Sequence, residues 1–274
     1  NSNYEEFLMP VAPHIKEVMA SASFIRKMFE EGIQLKAQYG ADNVYDFSIG
    51  NPDLEPPAKV KKMLAELAAS KTAGLHGYMP NAGYLKAILS PGDEVLVPAP
   101  YFVEYGHYAR NHGGVLKTVP TKEDFSLDTR AIADALTEKT AAIIINSPNN
   151  PTGKIYTESD IASLAKVLSG HREKTGRTVL LIADEPYREI VYDNRKVAPV
   201  FPVWADSVVV TSFAKNLSLP GERIGYAAVN PDATDAKALV DAIIFTTRVL
   251  GYVNAPATFQ RIVAACWNEP VDYS

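Results

Sequence analysis

The chain has 274 residues, 47% hydrophobic and 22% charged, with a formal net charge of −5; this supports a sizeable globular core and presents no basic field for nucleic acid or an anionic membrane surface. No apolar run approaches the length that spans a bilayer, and a single cysteine, Cys266, excludes an intrachain disulfide and a thiolate metal cluster. The stretch from Asn1 lacks the basic start, apolar core and small-residue cleavage site of a secretory signal, so a cytoplasmic protein is expected.

Phe24, Ile25, Met28, Phe29, Ile33 and Leu35 keep roughly helical spacing, which predicts an amphipathic helix over 23–38 that ends near Gly40. Residues 46–53, Asp-Phe-Ser-Ile-Gly-Asn-Pro-Asp, read as a short apolar segment closed by a turn. A second helix is predicted over 60–69. A turn at Tyr78–Tyr84 follows, and Leu85–Leu89 then reads as the end of a helix that has no beginning. Beyond this point short β-rich runs recur at 94–97, 115–119, 142–146, 179–183, 207–212 and 226–229. Most are continuous apolar runs rather than alternating ones, as expected for strands covered on both faces. Helical patterns at 128–136 and 159–168 lie between them. Strand, helix and strand in repetition predict an α/β fold with a mostly parallel sheet flanked by helices, and in such sheets ligands sit at the carboxyl ends of the strands.

Three polar clusters each follow a predicted strand. Asn146-Ser-Pro-Asn-Asn-Pro-Thr-Gly153 reads either as a turn-forming loop or as a rigid loop that presents an Asn amide as a fixed donor. Asp184-Glu-Pro-Tyr187 closes an apolar strand. A carboxylate there is costly without a partner, so Asp184 either caps the next helix or faces a bound cation. The third cluster runs from Thr211 through Tyr226, with Lys215 and Arg223 flanking Pro220-Gly221 between two apolar strands. A lone lysine is ordinarily solvated. A lysine desolvated at such a site has a depressed pKa and serves as an amine nucleophile toward a carbonyl, while an arginine suits a phosphate. Together the clusters offer an amine for an aldehyde, an anion for a ring nitrogen, donors for a phenolate oxygen and a cation for a phosphate. Those are the requirements of pyridoxal phosphate.

On Asn149-Asn-Pro-Thr-Gly153, Asp184-Glu-Pro-Tyr187 and Ser212 through Gly225, the sequence resembles the class I/II aminotransferases of pyridoxal-phosphate fold type I, from about Val44 to Asn268. The resemblance implies a three-layer large domain over 45–274, with 1–44 forming an N-terminal arm and part of a smaller α+β domain. It implies that Lys215 holds the cofactor as a Schiff base and shuttles a proton, and that Asp184 keeps the ring nitrogen protonated. It further implies that Asn150 and Tyr187 donate to the phenolate oxygen, that Ser212 and Arg223 bind the phosphate and that Phe102 covers the ring face. Gly50 and Asn150 would contact the substrate carboxylate, and Tyr78 would reach the phosphate of a neighbouring subunit in a homodimer. Ala214 departs from the serine that many relatives carry before the lysine. The family also has a helical segment between the turn ending at Tyr84 and the helix resembling Leu85–Leu89, and a small domain past Ser274. Neither is present in this sequence, which predicts a break in the chain at Tyr84–Leu85.

The expected activity is amino transfer from an L-amino acid, aspartate or alanine, to a 2-oxo acid such as 2-oxoglutarate. The alternatives are a carbon–sulfur β-lyase on the same fold and a cofactor-binding regulatory domain without turnover. His14, His76, His107, His112 and His171 show no metal-ligand spacing, and no metal is expected. Trp204, Trp267 and Cys266 read as packing residues.

Overall fold

A computed structural model of the chain describes residue 28 and residues 30–45, 55–70, 88–252 and 254–267. The chain divides into two compact units, Asn1–Asp53 and Leu54–Ser274. In the first, residues 30–39 form helix α1, which ends at Gly40, where φ is +87°. A 3-10 turn, Ala41–Asn43, follows. Within 23–38 the described residues are helical, and the helix stops where the glycine makes the left-handed conformation inexpensive.

The second unit is built on one six-stranded sheet in the order β2-β1-β3-β4-β5-β6. Its strands are β1 (Glu94–Ala99), β2 (Val115–Pro120), β3 (Thr140–Asn146), β4 (Leu180–Asp184), β5 (Ser207–Ser212) and β6 (Gly225–Val229). All neighbours pair in parallel except β5 and β6, which run antiparallel. Helix α2 (Ala58–Ala69) precedes the sheet, and α3 (Glu104–Arg110), α4 (Thr129–Ala135) and α5 (Glu158–Thr175) connect its parallel strands. A single helical turn, α6 (Phe213–Asn216), follows β5, and α7 (Ala236–Val249) and α8 (Ala257–Cys266) end the described chain.

The continuous apolar runs resolve into two alternating faces. Leu96, Ile143, Ile145, Leu181 and Ala183 face one core together with Ile132 of α4 and Ile161, Leu164 and Leu168 of α5. Val95, Val97, Ala142, Ile144, Ile182, Val208 and Val210 face the other, with Tyr105 and Ala109 of α3 and Leu239 of α7. The sheet is therefore the middle of three layers, as its β-branched and apolar strands require. Each such side chain contributes roughly 1.5–3 kcal/mol by leaving water. Local signals hold the helices in register. The Asp128 side chain accepts from Arg130 and Ala131 N–H at the start of α4. Thr157 and Asp160 form a reciprocal capping box on α5, which stops at Gly176 with φ +73°. A third cluster joins Val60 of α2 and Ile262, Val263 and Cys266 of α8 to Phe213, Leu217, Leu219 and Ile224. Among the described residues no helix is long and apolar enough to cross a membrane.

Candidate functional site

From β1 the chain passes to β2 on one side, and β3 returns to the other side of β1. Such a reversal opens a crevice at the carboxyl ends of the strands. A cleft of about 1190 Å³ lies there, lined by residues that follow β1, β3, β4 and β5.

The loop after β3 is held by its own asparagines. Asn146 is buried; its amide donates to the Asp184 carbonyl at 2.8 Å, and its Oδ1 accepts from Asn150 N–H at 2.5 Å. Asn149 Oδ1 accepts from Thr152 N–H at 3.2 Å and from the Thr152 hydroxyl at 2.9 Å. These bonds rigidify a loop that has no regular structure, and they leave the Asn150 side chain beside the Tyr187 hydroxyl, to which it is hydrogen-bonded. Burial, with the nearby Asp184 charge, pushes the Tyr187 phenol above its ordinary value, and the Asn150 bond opposes this.

Asp184 is the last residue of β4. It caps no helix. Tyr105 of α3 donates its hydroxyl to Asp184 Oδ2 across 79 residues of sequence, and among the described residues no Lys or Arg forms an ion pair with it. Burial raises the Asp184 pKa to about 6, and the Tyr105 bond pulls in the other direction. A carboxylate in this state is stabilised by any cation that enters the cleft.

Ser212, Lys215 and Arg223 belong to one excursion between β5 and β6. Phe213 N–H bonds the Ile224 carbonyl at 3.0 Å, and the Phe213, Leu217, Leu219 and Ile224 side chains anchor the excursion in the third cluster. Ser212 pairs with Gly225 across the strands. A Cβ at Gly225 would stand 2.2 Å from the Thr211 carbonyl oxygen, so only glycine permits this approach. Arg223 sits in the left-handed region at φ +51°, with Nη1 donating to the Pro220 carbonyl at 3.0 Å. Lys215 Nζ lies 6.0 Å from the Tyr187 ring centroid, and burial pulls its pKa down. Phe102 meets Tyr105 edge to face, with ring centroids 5.7 Å apart at 83°.

The cleft thus collects Phe102, Asn150, Asp184, Tyr187, Ser212, Lys215 and Arg223. Gly50, Tyr78 and the Tyr84–Leu85 junction lie outside the described residues. Tyr105 and Asn146 also line this cleft, and the sequence assigned neither a site role. Asn146 carried a signal, since it is a polar residue ending an apolar strand. Tyr105 carried none beyond its aromatic character.

Comparison with known proteins adds the following. The family described as "Aminotransferase class I and II" matches residues 52–272. The chain is 41% identical over 150 residues to a probable aspartate/prephenate aminotransferase of Aquifex aeolicus, a match covering 52% of this chain and 36% of that protein. It is 32% identical over 161 residues to a probable aspartate aminotransferase of Methanocaldococcus jannaschii, covering 58% and 41% respectively. The match therefore spans about two fifths or less of the length of these curated relatives. Among solved structures, an amino transferase from Eubacterium rectale superposes with a TM-score of 0.89 at 35% identity, over 96% of this chain and 76% of that one. An aspartate aminotransferase from Thermus thermophilus, solved with maleate, superposes with a TM-score of 0.74 at 25% identity, over 89% and 69%.

Proposed function

The chain belongs to the aminotransferase class I and II family, and from that premise we propose that it moves an amino group from an L-amino acid to a 2-oxo acid with pyridoxal phosphate as cofactor. The observation that carries this reading is the meeting, in one cleft, of a desolvated carboxylate without a cationic partner among the described residues, a desolvated lysine and an arginine. This donor set fits the cofactor. Asp184 is an anion for its ring nitrogen, Asn150 and Tyr187 are hydrogen-bonding groups for its phenolate oxygen, and Ser212 and Arg223 suit its phosphate. Phe102 covers a ring face, and Lys215 supplies the amine that holds the aldehyde as a Schiff base. When bound, the cofactor supplies an electron-poor ring that draws charge from the substrate Cα.

The chain's own residues then do the following. Burial lowers the pKa of Lys215 Nζ, so a larger share of it is neutral amine, able to take the proton from the substrate Cα and deliver it again. Asn150 and Gly50 orient the substrate carboxylate. Aspartate is the donor favoured by the names of the relatives, with alanine second, and 2-oxoglutarate is the acceptor. Residues 45–274 serve as the cofactor-holding domain, with 1–44 as arm and part of a smaller domain. Tyr78 reaches the phosphate in the other subunit of a homodimer. The lone buried thiol of Cys266 fits a cytoplasmic location.

The test is visible absorption of the full-length protein with pyridoxal phosphate, before and after single amino acids are added. The cofactor band should bleach with aspartate and return with 2-oxoglutarate. A band that never forms in folded protein refutes the assignment of Lys215, and a band that no amino acid alters refutes transamination.

A further inference from the structure

Two rigid frames meet at Asp184, and the function proposed above uses only one of them. The first frame is the end of β4. The Asp184 carbonyl accepts from the Asn146 amide at 2.8 Å and from Ser147 N–H at 3.3 Å, and the next residue's N–H bonds the Val210 carbonyl at 2.8 Å. The second frame is α3. Tyr105 is 2% exposed, and its ring lies against Phe102 at 5.7 Å and Tyr101 at 6.5 Å. A ring held in this way cannot swing its hydroxyl aside without disturbing the core. That hydroxyl donates to Asp184 Oδ2.

We infer that Tyr105 is a positioning residue that holds Asp184 as an oriented anion, occupying Oδ2 and leaving Oδ1 for a cation bound in the cleft. The inference rests on the reading of Asp184 as partner to a ring nitrogen. The chemistry of the donor is what matters. A phenol is neutral at physiological pH, so it stabilises the carboxylate by hydrogen bonding without cancelling its charge. An arginine or lysine in its place would form a closed ion pair and compete with the bound cation. The carboxylate here is half-buried and desolvated, and its pKa stands at about 6 even with the bond in place. Without the bond, more of Asp184 would be protonated near neutrality and unable to serve a cation. The other titratable groups around Asp184 are Tyr108 of α3, Glu185 and Tyr187 beyond β4, and Lys215, Arg223 and His112, which line the same cleft. Tyr105 donates a hydrogen bond to the carboxylate itself, so it is the group whose removal acts on Asp184 most directly.

The experiment uses the full-length protein in cofactor-free form. Difference infrared titration against Asp184→Asn isolates the Asp184 carboxyl. Tyr105→Phe should move its midpoint upward by about one pH unit. Site-specific 3-fluorotyrosine at position 105, a stronger acid that keeps the ring's packing, should move it downward and covers the case in which Tyr105→Phe does not fold. Pyridoxal phosphate affinity is then measured from pH 6 to 8.5. Tyr105→Phe should weaken binding about fivefold at the acid end, with the gap closing as pH rises. A midpoint unmoved by either substitution overturns the inference, as does a loss of affinity equal at every pH, which is the mark of lost packing alone. Should the unaltered protein bind no pyridoxal phosphate, the proposed function falls, while the infrared titration still decides whether Tyr105 governs Asp184.

Discussion

Glu94 and Asp93 at one end of the sheet and Asp184 at the other are held in opposite ways. At the amino end, Glu94 at the start of β1 is buried beside Lys117 at 2.7 Å and the Thr137 hydroxyl at 2.6 Å. Burial pushes its pKa up, yet the Lys117 and Thr137 bonds outweigh burial and leave it below the ordinary value. Asp93, next to it, is held down in the same way, its burial overcome by Ser90 N–H and by Arg177 at 2.6 Å. At the carboxyl end, Asp184 is left with a neutral phenol and rises to about 6. A carboxylate at the amino end is a finished structural joint, whereas the one at the carboxyl end is an incomplete pair that a ligand would complete. Deeper desolvation and the absence of a cationic partner act together on Asp184, because desolvation raises the neighbouring Glu185 even though Arg188 pairs with it at 2.6 Å.

Four substitutions sharpen or break this contrast. Lys215→Ala should have the largest effect, lowering transamination by about four orders of magnitude in a steady-state assay. Its melting temperature should stay near that of the parent, because the residue packs little of the core. A variant that kept its turnover would remove the carboxyl end from the chemistry altogether.

Asp184→Asn should stabilise the cofactor-free protein at pH 7. The unfolded carboxyl titrates near 3.8 and the folded one at about 6, so ionisation opposes folding above pH 6 and this opposition fades as pH falls toward 4. The gain is on the order of 3 kcal/mol at pH 7 and should vanish near pH 4 in urea titrations. The same variant should bind pyridoxal phosphate more weakly. Gly225→Ala should cost about 1–3 kcal/mol by forcing the strands apart at Thr211, and should weaken cofactor binding through Arg223, measured by equilibrium dialysis. Glu94→Gln should have the smallest effect, a loss of about 1 kcal/mol at pH 7. Its folded pKa lies below 4.5, so that contribution is present above the unfolded value and lost as pH falls through the folded one. The two carboxylate variants should therefore show opposite pH slopes of ΔΔG. Parallel slopes would erase the distinction between the ends.

Much of this was legible in the chain itself. Runs such as Ile143–Ile145 and Val208–Val210 had to be strands covered on both faces, because nothing polar interrupts them, and the structure divides their side chains between two cores. Asp184, Lys215 and Arg223 stood out because each is a charge set beside an apolar strand. Other features were hidden for physical reasons. Helix α3 has only seven residues and contains Gly106, too little for a period to emerge. The reversal of β6 depends on the Ser212–Gly225 pairing, which no local propensity records. Tyr105 reads as an ordinary core aromatic, and only folding shows that its hydroxyl meets a carboxylate 79 residues away.

The antiparallel return of β6 has one more consequence. Lys215 and Arg223 hang from a single short length of chain whose two feet are pinned together at Ser212 and Gly225. The span between these two residues is therefore set locally, like the opening of a caliper, by the pairing at its feet. Under the function proposed above, a molecule with a carbonyl at one end and an anionic group at the other would be gauged by its length on this one segment.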